Sequence, residues 1–242
     1  MTKFTRRSLL TAGALAAGGV VSGAVGRRFG LVPPDFAGVY GVGETLNYAS
    51  HRLLGRHSLA REFSRASISA RPFANEIAPP TEAFKRHQAE NFANWRVSLD
   101  GLVDQPRHLS LGELRAMPAR SQITEIACEE GWSYVAEWTG TPLADVLTAV
   151  KARASARYVV YYSSDTNWWD SIDIDEAMHP QTLMAWGMNG GDLPVPFGGP
   201  LRVRVPMQLG YKSIKFVDRI FVTDSLDGVS LGSGQYAWYA GI

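Results

Sequence analysis

Ile123-Thr-Glu-Ile-Ala-Cys128-Glu-Glu-Gly131-Trp132-Ser133 carries the only cysteine in 242 residues. Ser121 to Ala127 reads as a strand, because apolar, β-prone residues lead into the thiol. Two acids, a glycine and a tryptophan follow it, and that composition reads as a turn. A thiol between a strand and a turn suits a reactive or metal-binding sulfur. It equally suits a small core residue, a common role of free cysteine. Spacing alone leaves both readings open. A cysteine nucleophile needs a histidine base beside it, and His51, His57, His87, His108 and His179 sit in no telling context. Zinc needs several N or S ligands, and the sequence has no second cysteine and no histidine cluster. A metal held by one protein thiolate must take its other ligands from elsewhere, such as a cofactor that brings its own sulfurs. Soft metals do prefer thiolate.

Outward from this stretch the pattern is of many strands and few short helices. Trp95 to Leu99 alternates with period two and Asp100-Gly101 makes a turn, which predicts a strand and a hairpin. Ser110-Leu-Gly-Glu113 is a capping box for a short helix that Pro118 stops. Thr141-Pro142 reads as an N-cap with proline in the first helical position. Leu143, Val146, Leu147 and Val150 then mark one apolar helical face. Tyr158–Tyr162, Leu183–Trp186, Leu201–Val205 and Ile214–Val222 read as strands. Asp173 or Asp175 caps a short helix up to His179-Pro180, and Asn189-Gly190-Gly191 closes a strand. Pro194, Pro196, Gly198, Gly199 and Pro200 form a stiff loop. With no regular βαβ alternation and no internal repeat, the expected class is α+β with a mixed, barrel-like sheet rather than a doubly wound one. Residues 25–84 read as an irregular arm, with a short helix of mixed polarity somewhere in Leu46–Phe63. The core is expected over 85–242, in one domain with the arm.

The N-terminus reads as an address. Thr5-Arg6-Arg7-Ser8-Leu9-Leu10 is a twin-arginine pattern, Thr11 to Val21 is weakly apolar, and Ser22-Gly23-Ala24 stands at cleavage spacing. The apolar run is shorter than the ~20 residues of a membrane span. An uncleaved anchor and an ordinary secretion signal are the alternatives, and Arg27-Arg28 follow closely. Removing residues 1–24 takes away Lys3, Arg6 and Arg7 and no acid, which moves the formal net charge from +1 to −2. A nearly neutral chain offers no basic face for nucleic acid. Hydrophobic residues at 45% and charged residues at 19% are ordinary for a globular protein. A single cysteine in an oxidising compartment forms no internal disulfide.

Cys128-Glu-Glu130-Gly-Trp132-Ser133 followed by Trp138-Thr-Gly140-Thr-Pro142-Leu143 resembles the molybdenum-ligand segment of the sulfite oxidase family. Gly199-Pro200-Leu201-Arg202-Val-Arg-Val-Pro206, then Leu209-Gly210-Tyr211-Lys212-Ser213-Ile214-Lys215, resembles that family's pterin-phosphate loop. The likeness covers roughly residues 70–225. It is nearest to the periplasmic, single-domain branch that includes methionine-sulfoxide reductase catalytic subunits. The resemblance implies a sulfite-oxidase-type fold and an exported oxidoreductase with a molybdenum–molybdopterin cofactor. It also implies a small-molecule substrate, oxygen-atom transfer at the metal, and electron exchange with a haem-containing partner, in the membrane or free. A non-catalytic periplasmic binding protein on the same fold and a thiol-dependent hydrolase are the competing functions.

The resemblance also assigns roles. Cys128 is the metal ligand and catalytic centre, and Glu130 a carboxylate that relays protons. Arg202 chelates phosphate. Lys215, with Lys212 as a second candidate, adds point charge. The Ser213-Ile214-Lys215 backbone donates N–H groups. Ser163 falls where the family has a threonine touching the pterin. Arg71, Phe73 and Asn75 lie in the arm that clasps it. Two departures stand out. Phe197 replaces an asparagine of the reductase branch, and no arginine cluster for sulfite accompanies Cys128, so a sulfoxide is favoured over sulfite.

Overall fold

In this computed structural model the described residues are 31, 42–75, 78–164, 168–226, 229, 232 and 233. The twin-arginine stretch lies outside them. The chain divides into two compact units, 1–56 and 57–242.

In the first unit, α1 (Val42–Gly55) starts before the helix expected in Leu46–Phe63 and stops at a glycine. Arg52 Nε donates to Tyr48 OH one turn back at 3.1 Å, and Leu46 and Leu53 are exposed. Among the described residues no helix is long and apolar enough to cross a membrane.

The second unit opens on an extended arm rather than an unattached loop. Glu62 forms a bridge with Thr124, and Phe63 N donates to Ile123 O at 2.9 Å. After a 3-10 turn at Arg65–Ser67, Ser69 N donates to Val135 O at 3.0 Å. Arg65 grips Glu137 with two hydrogen bonds of 2.9 and 2.7 Å. α2 (Glu82–Ala89) follows, with the Thr81 side chain accepting from Phe84 N.

Among the described residues ten strands make two sheets. The first has the order β2 (Arg107–Ser110), β1 (Arg96–Gly101), β10 (Val217–Thr223), β5 (Tyr158–Ser163), β6 (Trp169–Asp173). It is mixed: β1 and β10 run parallel, and its other pairs are antiparallel. The second has the order β3 (Arg120–Ala127), β4 (Ser133–Pro142), β7 (Leu183–Met188), β8 (Gly191–Asp192), with β9 (Arg202–Arg204) also on β7. All its pairs are antiparallel. The curled half-barrel with few short helices matches the expected α+β class. β1 and β2 form the expected hairpin, but Asp100 and Gly101 are not its turn: they stay in β1, paired with Phe221 and Val222 of β10, and 102–106 make the connection.

The helices sit where the local code puts them. α3 (Leu111–Ala116) carries the complete Ser110–Glu113 capping box. α4 (Leu143–Ala149) buries Leu143, Val146, Leu147 and Val150. Thr141, however, does not cap it: Thr141 is still in β4, and its hydroxyl donates to Leu114 O at 2.7 Å. Asp173, not Asp175, caps α5 (Ile174–Ala177).

The main core fills the space between the sheets and α3 and α4, with Val97, Leu99, Leu114, Val159, Ile172, Met184, Val203 and Ile220 all buried. The other face of the second sheet carries a separate cluster, Ile126, Tyr134, Trp138, Leu183 and Ala185, edged by Trp132 and Phe197. Met184 faces one cluster and its neighbours Leu183 and Ala185 the other, as strand alternation requires. That second face is where the chemistry-bearing residues collect.

Candidate functional site

Cys128 heads the loop of the β3–β4 hairpin, one residue beyond the last pair, Ala127–Ser133. Its amide donates to Trp132 O at 2.9 Å, and Gly131 N donates to Cys128 O at 3.1 Å. Gly131 has φ +89, a left-handed conformation that glycine adopts without strain, and this turns the loop back in time to start β4. Opposite lies a 3-10 turn, Gly210–Lys212. A Cβ on Gly210 would stand 3.3 Å from Ala127 O and 3.5 Å from Cys128 Cβ, so glycine lets this turn approach the thiol closely.

Together these segments border a cavity of about 260 Å³, lined by Phe73, Asn75, Cys128, Glu130, Ser163, Arg202, Ser213, Ile214 and Lys215 among others. Of the residues the sequence nominated, Arg71 and the second candidate Lys212 are outside this lining, and Arg71 is exposed. Lys212 does not face the site either. Its side chain is fully buried, and Nζ donates to Asp170 Oδ1 at 2.5 Å and to Ser171 O at 2.8 Å. The strand expected from Ile214 starts only at Val217. Phe216 sits at φ +57, packing on Phe84 with ring centroids 5.1 Å apart. Residues 213–216 are thereby freed from the sheet to line the cavity. The Ser213 amide is used on Gly210 O, while the Ile214 and Lys215 amides have no backbone acceptor among the described residues.

Glu129, Trp132, Tyr134, Trp168, Phe197 and Tyr211 also line the cavity, and sequence reasoning gave them no role. Period two held the signal: Trp132, Tyr134 and Trp138 fall on one face of β4. The same spacing puts Arg204 on the same side of β9 as Arg202. The two guanidinium carbons lie 5.3 and 5.5 Å from the Trp138 ring centroid.

The electrostatics are unusual. Arg202 donates to Phe197 O at 2.7 Å and Ser213 O at 2.5 Å. Arg204 donates to Glu125 O, and at 3.4 Å to Thr124 Oγ1 and Ser213 Oγ. Both side chains are buried, and among the described residues neither bonds a carboxylate and neither Nε atom has a partner. Burial, then the Arg202 charge, brings Arg204 down to about 9. Lys215 Nζ donates to Asn75 Oδ1 and, at 2.6 Å, to Pro196 O. Burial, with Arg202 beside it, brings Lys215 down to about 8, against the pull of Glu130 and Cys128. Buried, unneutralised cations are costly unless an anion joins them.

At the other wall Cys128 Sγ lies 3.1 Å from Glu129 Oε2 and 3.9 Å from Glu130 Oε2. Burial first, and then both carboxylates, push the thiol up to about 12, opposed by a hydrogen bond from the Glu130 backbone. Such a thiol stays protonated until a metal ion displaces its proton. No cluster of three His, Cys, Asp or Glu side chains able to hold a metal occurs among the described residues. A metal at Cys128 would draw its other ligands from a non-protein group. One thiol facing Arg202, Lys215 and the Ile214 and Lys215 amides fits a cofactor with its own metal ligands at one end and a phosphate at the other.

Residues 84–228 match the oxidoreductase molybdopterin binding domain, and the chain belongs to that family. Among curated relatives, YedZ1 of Azospira oryzae is 37% identical over 149 residues, 62% of this chain and 56% of that protein. The protein-methionine-sulfoxide reductase catalytic subunit MsrP of Ralstonia nicotianae is 34% identical over 166 residues, 61% of this chain and 50% of that protein. The MsrP of Xanthomonas campestris pv. campestris is 33% identical over 188 residues, 70% and 58%. The chain thus spans about half the length of these relatives. The sulfane dehydrogenase SoxCD of Paracoccus pantotrophus shares the fold, with a TM-score of 0.53 at 19% identity over 70% of this chain and 46% of that one.

Proposed function

We propose that this chain is the catalytic part of an exported sulfoxide reductase, with molybdenum–molybdopterin held in the cavity. The observation that carries the reading is the Cys128 loop facing Arg202 and Lys215 across one cavity, with neither cation bonded to a carboxylate among the described residues. The relatives named as methionine-sulfoxide reductase subunits support the reaction class.

In this reading Cys128 supplies the single protein thiolate to the metal. Arg202 and Lys215, with the Ile214 and Lys215 amides, hold the phosphate. Phe73 and Asn75 close the arm over the pterin, and Asn75 orients the Lys215 ammonium. Ser163 at the end of β5 and Ser213 complete the cradle. When bound, the centre supplies two-electron oxygen-atom exchange. The net reaction takes a sulfoxide, two electrons and two protons to a thioether and water. Glu130, held by a 2.7 Å hydrogen bond from Trp132 Nε1, delivers protons. A haem-containing donor supplies the electrons, and the twin-arginine route places the folded protein in the periplasm.

Metal analysis tests this. Protein matured in the cytoplasm should carry about one molybdenum per chain, since one thiolate completes one dithiolene-held centre. It should give a Mo(V) EPR signal and reduce sulfoxides with reduced viologen. Cys128→Ser should lose the signal and the turnover. Absence of molybdenum from the wild type, or full activity in Cys128→Ser, would sink the proposal.

A further inference from the structure

The two ends of the cavity differ in sign. Arg202 and Lys215 are turned to Phe197 O, Ser213 O, Pro196 O and Asn75 Oδ1. At Cys128 the polar side-chain groups within reach are carboxylates, Glu129 Oε2 at 3.1 Å and Glu130 Oε2 at 3.9 Å. Beside them runs a continuous aromatic wall. Phe73 meets Trp132 at 5.1 Å, Trp132 stacks on Tyr134 at 5.8 Å, and Tyr134 meets Phe197 edge-on at 5.7 Å. Phe73 and Trp168 are still half-exposed, at 49% and 46%, so the wall reaches the mouth. The Trp132–Glu130 hydrogen bond ties a carboxylate to this wall. Aromatic faces beside carboxylates attract cations and repel anions.

We propose that Glu129 and Glu130, with the Phe73–Trp132–Tyr134 wall, make the approach to Cys128 selective for neutral or positively charged oxygen donors, against oxyanions and carboxylate-bearing ones. This rests on reading the cavity as an oxygen-atom-transfer site. Glu129 is then a specificity-determining residue, and Trp132 positions Glu130. The approach is built to reject sulfite-like anions through like charge, while the far end of the same cavity stays positive for the phosphate. The selection lives in binding, so it appears in KM.

The test uses three sulfoxides of one skeleton ending in a trimethylammonium, an uncharged group or a carboxylate, with molybdenum-loaded enzyme and reduced viologen. A charge about 6 Å from a carboxylate in a solvent-open site is worth about fivefold in binding, so the cation-to-anion ratio of kcat/KM should be tenfold or more at low salt. It should shrink as salt screens it and drop about threefold or more in Glu129→Gln, carried by KM. Equal or better use of the anionic substrate, or a ratio untouched by Glu129→Gln, would overturn the proposal. A second readout needs no turnover. Tetramethylammonium should perturb the Trp132 fluorescence of the wild type, more weakly in Glu129→Gln and not in Trp132→Phe, while acetate leaves it unchanged. If sulfoxides are not reduced but tetramethylammonium binds as expected, the reaction assignment fails and the charge selection stands. If turnover is normal and acetate binds as well as the cation, the selection fails alone.

Discussion

Asp170→Asn tests how the floor of the site is built. The Lys212–Asp170 pair is almost fully out of water, with side chains 0% and 3% exposed. Burial drives Asp170 up to about 6, opposed by Lys212, and drives Lys212 down. The Lys212 carbonyl also accepts from the Tyr161 hydroxyl at 2.7 Å, tying the turn beside Cys128 to β5. Removing one partner of a buried ion pair costs about 3–5 kcal/mol, because the other charge is stranded. Here an asparagine amide oxygen and Ser171 O still accept from Nζ, so the loss falls at the low end, about 3 kcal/mol. For a unit of this size that is a drop of about 6–12 °C in midpoint. Urea unfolding followed by circular dichroism and tryptophan fluorescence measures it. Asp170→Asn with Lys212→Met removes both charges and should regain most of the loss, since an apolar replacement strands nothing. A single-variant loss below about 1 kcal/mol, or a double variant no better than the single, would refute the assignment of Lys212 to structure rather than to phosphate.

Three further outcomes follow from the geometry. Gly210→Ala puts a methyl 3.3–3.5 Å from Ala127 O and Cys128; molybdenum content should fall while urea stability changes by less than about 1 kcal/mol. Burial holds Asp218 up at about 6. Because its folded value is raised, its contribution is fully present below the unfolded value near 4 and is lost as pH rises through about 6. Asp218→Asn should therefore gain most relative to wild type at pH 8 and lose that advantage towards pH 4, read by urea midpoints. Ser110→Ala removes the cap that accepts from Glu113 N at 3.1 Å and should cost about 1 kcal/mol.

Local chemistry made much of this fold legible. The Ser110–Glu113 box, the Leu143–Val150 face and the Asp173 cap each act over three to seven residues, so sequence carries them whole. The lone Cys128 with a distant Gly-Pro-Leu-Arg and Ser-Ile-Lys was enough to recognise the family. Residues 199–215 nevertheless hold two lysines and two arginines, and sequence ranked them imperfectly. Arg204 went unassigned, although its i+2 spacing from Arg202 places it on the same face of the strand.

The sequence by itself determined the capped start of α3, the apolar face of α4, six of the strands and the one thiol available to a metal, but it did not mark β4, β6, β8 or α2. It also carried the charge contrast around that thiol, in Glu129 and Glu130, although their meaning was not apparent. Tertiary structure decided which charges face the cavity. Lys215 meets Asn75 across 140 positions and Lys212 meets Asp170 across 42, and no local pattern encodes either partner. It also decided that Phe216 leaves the strand, because packing against Phe84 outweighs β propensity. Burial is a property of the assembled chain: the same guanidinium is a solvated surface charge on an isolated strand, and a buried cation bonded to carbonyls once two sheets have closed around it.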